Sequence, residues 1–199
     1  MTPWDHDPEL TESRLTEIGR LITVGRNHAL DRYDPEVGCD AWTVGCEAFK
    51  FQCFQIERAS NDVPWLEVLN SSMEFVFSVG GVGMRFYRGE PSEPHDRTLR
   101  QTFSELTQMS LFAEEELGKS GRTVLYRFAV ETDIDGSITQ ITFVVLSGGT
   151  PLLVWPIPLE QPVVGITPIK PERSDGVVLP FPKVTPKKDD RGKGVEESD

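Results

Sequence analysis

Three cysteines, Cys39, Cys46 and Cys53, stand seven residues apart within the stretch from Val37 to Ser60. Regularly spaced thiols raise metal ligation, disulfide formation and redox catalysis as candidate chemistries. The interval argues against the first two. On a helix, seven residues rise about 10.5 Å, whereas two sulfurs on one zinc lie within about 4 Å of each other and a disulfide needs Cα atoms within about 7 Å. Trp42, Phe49 and Ile56 recur at the same interval, each three residues after a cysteine. The pattern reads as the apolar seam of a buried helix, with the cysteines as small hydrophobes within it.

The other chemistry-bearing residues are sparse. The histidines, His6, His28 and His95, form no H-x-x-x-H pair, and no C-x-x-C or G-x-S-x-G motif occurs. Asp133-Ile134-Asp135-Gly136 has the opening of a calcium loop but lacks its third acidic position and late glutamate, so a hairpin turn is expected. Gly80-Gly81-Val82-Gly83 precedes a strand-like run with no lysine after it, which is a turn and not a phosphate cradle. No metal or cofactor is expected. An enzyme reading rests on acidic pairs such as Glu67 and Glu74: a small hydrolase using paired carboxylates, with Arg85 and Arg127 orienting an anionic substrate. A small-ligand sensor with a pocket between sheet and helices is a further alternative.

The surface with the clearest recognition chemistry is Arg85-Phe86-Tyr87-Arg88. Alternation puts Arg85 and Tyr87 on one face of a strand, and Arg127, on the polar face of its own strand, is placed to join them. Two arginines and a tyrosine on an open sheet face suit a partner's carboxylates, unless they pair across strands with Glu74 or Glu131. A second recognition element is the apolar island Gly176-Val177-Val178-Leu179-Pro180-Phe181-Pro182 in an otherwise polar terminus. Val178, Leu179 and Phe181 are its anchors for a groove or a sheet edge.

These residues need a scaffold. Asp7-Pro8 opens a first helix whose stripe runs through Leu15, Ile18, Ile22, Gly25 and Ala29. Gly25 implies a close helix crossing, with Gly45 of the cysteine-bearing helix as its expected partner. Met73 to Val79 and Val82 to Arg88 flank Gly80-Gly81 as a hairpin, while the preceding PWLEVLN is ambiguous between strand and helical turn. A third helix capped by Asp96 or Thr98 is expected to run through Leu99, Phe103 and Leu106 to about Leu117. Three strands follow: Val124 to Glu131, Ile138 to Leu146 and Leu152 to Ile157, the last confined to an edge by Pro156 and Pro158. The order α-α-β-β-α-β-β-β gives an α+β fold, a five-stranded, mainly antiparallel sheet with helices on one face.

Residues 1–159 are therefore expected to form one acidic domain and residues 160–199 a Pro-rich, largely disordered tail, consistent with a hydrophobic fraction of only 38%. The first part holds 13 Lys and Arg against 24 Asp and Glu. Such a field repels nucleic acid and anionic membranes. The acidic start of the chain does not resemble a secretory signal, no run suits a membrane span, and three cysteines are an odd number, so a cytoplasmic location is expected. The sequence points to a non-catalytic interaction protein: an adaptor, chaperone-like or regulatory factor. It would bind another protein through the open sheet face and the tail, and the same face would serve a homodimer.

Overall fold

The computed structural model describes residues 1–102, Glu105 and residues 124–159. A short helix α1 (Pro3–His6) precedes α2 (Glu12–Asp31), which Thr11 caps by accepting from the Arg14 N–H. After a single 3-10 turn (Pro35–Val37), α3 (Ala41–Ser60) begins at Asp40, whose carboxylate accepts from the Thr43 N–H at 2.8 Å. Arg32, at the end of α2, lies against Glu47 and Phe51 of α3, while Ile22 and Gly25 lie against Gln52. The expected crossing at Gly25 is present, but its partner is Gln52, and Gly45 faces open space.

Among the described residues six strands follow: β1 (Leu66–Asn70), β2 (Val76–Val79), β3 (Val82–Arg88), β4 (Val124–Thr132), β5 (Ile138–Ser147) and β6 (Thr150–Pro156). They form one sheet in chain order. The α+β class holds, with two corrections to the sheet. PWLEVLN supplies a sixth strand, β1, paired antiparallel with β2 (Leu66 opposite Val79). And β3 runs parallel to β4, with Met84 opposite Tyr126 and Arg85 opposite Arg127, so the sheet is mixed. Residues 89–123 separate these two strands, and a connector of that length is what a parallel pair requires.

One sheet face packs on α2 and α3. Leu15, Ile18 and Ile22 of α2 and Cys53 and Ile56 of α3 meet Phe77, Met84, Phe128 and Phe143 of the strands. Aromatic rings meet across the sheet, Phe128 and Phe143 edge to face with centroids 5.5 Å apart and Phe77 and Phe128 tilted at 6.1 Å. The helices are not confined to that face. The short α4 (Asp96–Leu99) and Glu105 meet the opposite side at Arg127, and Leu99 packs against the cluster of Leu125, Ala129, Val144 and Leu146. The N-cap of α4 is His95, one residue before Asp96. The remainder of the expected third helix and residues 160–199 lie outside the described residues.

Candidate functional site

Parallel pairing places Arg85 beside Arg127, so the two arginines share a face as the alternation implied. What they meet there differs from the expectation. Arg127 is only 1% exposed. Its Nη1 sits 2.5 Å from Glu105 Oε1, its Nε donates to the Thr98 carbonyl at 3.0 Å, and Nη1 also donates to the Tyr126 carbonyl. Glu105 is held in turn: its Oε2 accepts from the Thr102 N–H at 2.9 Å and from Thr102 Oγ1 at 3.1 Å, while its own N–H donates to Thr102 Oγ1. These are the reciprocal bonds of a capping box, and T-x-x-E is its sequence signature.

Arg127 is thus no part of an open sheet face. Its carboxylate partner comes from the connector between the two parallel strands, not from Glu74 or Glu131. Burial lowers the pKa of its guanidinium, against the opposing pull of Glu105. Arg85 is half-buried and reaches the Arg100 carbonyl at 3.5 Å. The Tyr87 hydroxyl donates to the Glu90 carbonyl at 3.1 Å, and burial, aided by Glu131, pushes its pKa up to about 12. All three predicted residues are directed at this chain's own connector, where they hold structure. Val178, Leu179 and Phe181 lie outside the described residues.

The other motifs resolve locally. Asp133 accepts from the Ser137 N–H at 2.8 Å and its carbonyl accepts from Gly136, closing a hairpin turn that Arg26 braces through Nε to the Gly136 carbonyl at 2.7 Å. His28 faces Gln55 at 3.4 Å. Among the described residues no three His, Cys, Asp or Glu side chains gather where they could hold a metal ion.

The cysteine seam is where structure and pattern part company. Cys53 and Ile56 are buried and Phe49 packs on Phe86 at 5.6 Å, so the second half of the seam is covered. Over the first half, the buried positions are Val44 and Ala48, Cys46 is exposed, and Trp42 is 75% exposed. An ideal helix advances about 100° per residue, which keeps Trp42 and Cys46 within about 40° of the line of Phe49 and Cys53. The seam is continuous, and its first turns have no layer beneath them among the described residues. Val37, 76% exposed, and Tyr33 lie just before it in the link from α2. Asp31, Asp34, Glu36 and Asp40, all exposed, border these apolar side chains in sequence. Hydrogen bonds from the first-turn N–H and hydroxyl of Thr43 hold the Asp40 carboxyl below its ordinary range, so it carries full charge at neutral pH.

Sequence reasoning did not anticipate this surface, because a seam of apolar residues reads as buried wherever it occurs. Comparison with family models, curated proteins and solved structures finds no match to the chain. No helix among the described residues is long and apolar enough to cross a membrane.

Proposed function

We propose that this chain is a non-catalytic protein-interaction module, an adaptor or regulatory factor, whose contact surface centres on Trp42. The observation that carries the reading is an indole left three-quarters in solvent at the uncovered end of an apolar seam, with Val37 and Tyr33 beside it in sequence. Tryptophan is enriched among the side chains that dominate binding energy, and among the described residues no layer covers Trp42. The acidic border favours a partner with basic residues and disfavours nucleic acid. Three free thiols suit a reducing compartment, for which the cytoplasm is the simplest choice. Val178, Leu179 and Phe181 supply a second anchor in this reading, through their apolar character alone.

The test is recovery of a stoichiometric partner from native extract by the full-length chain and by its Trp42→Ser variant. Truncating a central aromatic anchor costs about 2 kcal/mol or more, near thirtyfold in affinity. Loss of the partner with Trp42→Ser, at an unchanged melting temperature, is the expected result. Equal recovery would move the contact elsewhere, and no partner with either protein would sink the reading.

A further inference from the structure

The sheet has two edges, and the sequence treats them differently. The β6 edge carries Pro151 and Pro156, which lack an N–H and so discourage a further strand. The β1 edge, Leu66-Glu67-Val68-Leu69-Asn70, has neither proline nor lysine, and no strand pairs with its outer side among the described residues. The Gly80 N–H donates to the Trp65 carbonyl at 2.7 Å, which makes those two a hydrogen-bonded pair. Alternation then turns the backbone groups of Leu66 and Val68 away from β2. The Leu66 N–H is directed locally to the Val63 carbonyl, at 3.4 Å. The N–H and C=O of Val68 face the open edge. A bulge between Val68 and Asn70 limits the available edge to its first residues.

Beside this edge lies an open groove of about 450 Å³, bounded by Glu57, Ser60 and Asn61 at the end of α3 and by Glu67, Val68 and Leu69 of β1. Its charge has one sign. Glu57 and Glu67 are both exposed carboxylates, Arg58 does not line the groove, and the carbonyl end of α3 adds partial negative charge. A helix end facing a free strand edge is the arrangement in which an extended peptide adds to a sheet, the main chain giving affinity and alternate side chains giving selectivity.

We infer that this groove binds an extended segment of a partner protein, paired with β1 through its main chain and selected for lysine or arginine by the carboxylates of Glu57 and Glu67. A second copy of this chain is disfavoured, because pairing β1 with its own counterpart would bring the Glu57 and Glu67 carboxylates of both copies to one edge. The site is distinct from the surface at Trp42, since α3 has 20 residues, about 30 Å, and the two lie at its opposite ends.

The experiment is selection of a random dodecapeptide display library on the full-length chain, followed by affinity measurement on the enriched peptides. Enriched sequences are expected to carry a lysine or arginine among alternating apolar residues. Glu57→Lys with Glu67→Lys should weaken them about tenfold or more, and replacing the peptide's basic residue by glutamate should restore binding to that variant. N-methylation of alternate peptide residues should abolish binding in one register only, a test that leaves the protein untouched. Peptides that bind the charge-reversed variant equally, or tolerate N-methylation throughout, overturn the inference. So does a library yielding nothing above background, or self-association that the charge reversal removes. Trp42→Ser should leave these affinities unchanged, which separates failure here from failure of the surface at the other end of α3.

Discussion

Gly25 of α2 lies so close to Gln52 of α3 that a Cβ at Gly25 would stand 2.5 Å from the Gln52 backbone nitrogen and 2.6 Å from its Cα. The obstruction is backbone, so no rotamer change relieves it. The Gln52 side chain closes the same crossing by donating from Nε2 to the Ile22 carbonyl at 3.3 Å. Gly25→Ala is expected to separate the helices and destabilise the fold by about 1–3 kcal/mol or more. Gly45, also inside α3, has nothing within 4 Å of its Cβ position. Gly45→Ala should therefore stabilise the chain by about 0.5–1 kcal/mol through helix propensity alone. Urea unfolding of the two variants reads opposite signs from the same substitution.

Arg127 and Glu105 form the one fully buried ion pair among the described residues, with side chains 1% and 4% exposed. Removing one charge strands the other in the interior. Arg127→Met should cost about 3–5 kcal/mol, and the double variant Arg127→Met/Glu105→Leu should recover much of that loss. A double-mutant cycle in urea measures the coupling. If Arg127 instead served a surface partner, the single variant would leave stability within about 0.5 kcal/mol of the parent.

Much of this fold was legible in local pattern. The crossing at Gly25 and both Gly-Gly hairpins follow from residues adjacent in sequence, whereas helix starts do not: α2 begins after Thr11 and not at Asp7-Pro8, and α4 is capped by His95 and not by Asp96 or Thr98. What alternation cannot carry is strand direction or what lies above a face. Period two fixes the shared face of Arg85 and Arg127, whereas the arrival of Glu105 on that face is signalled only by the T-x-x-E box of Thr102 and Glu105. The β-α-β order around residues 89–123 was likewise a sign of parallel pairing. The seam from Cys39 to Ile56 shows the deeper limit. Its helical spacing holds from Trp42 to Ile56, Cys39 standing before the start of α3, but whether a layer covers Trp42 depends on where the sheet ends, which no local pattern records.

The two Gly-Gly turns share a conformation and differ in surroundings. Gly80 and Gly148 have φ of 58° and 57°, each followed by a glycine near 88°, the values of a type I′ hairpin turn. A Cβ at Gly148 meets nothing within 4 Å, while one at Gly80 would stand 2.3 Å from Glu9 Cβ. Asparagine tolerates this backbone region. Gly148→Asn should change stability by less than about 1 kcal/mol, whereas Gly80→Asn should displace the segment before α2 and cost about 1–3 kcal/mol. Thermal melts of the pair separate backbone strain from steric conflict.

The thiols of Cys46 and Cys53, one helical heptad apart, should behave as different chemical species. Burial pushes the Cys53 thiol from an ordinary 9.0 up to about 12, while Cys46 is exposed. Iodoacetamide should label Cys46 in the native protein and reach Cys53 only on unfolding. The same shift predicts an alkaline limit. Between pH 9 and 12 the unfolded chain releases the Cys53 proton and the folded chain keeps it, so the folded state binds more protons there and stability falls as pH rises. Tyr87, raised from 10.0 to about 12, acts in the same direction slightly higher in pH. The contribution of both groups is fully present at pH 7 and should decline from about pH 9 upward. Urea midpoints at pH 7, 9 and 10 should fall in that order, and Cys53→Ala should flatten the first part of the decline. Midpoints that stay level to pH 10 would mean that Cys53 reaches solvent, and with it that the covered half of the α3 seam opens.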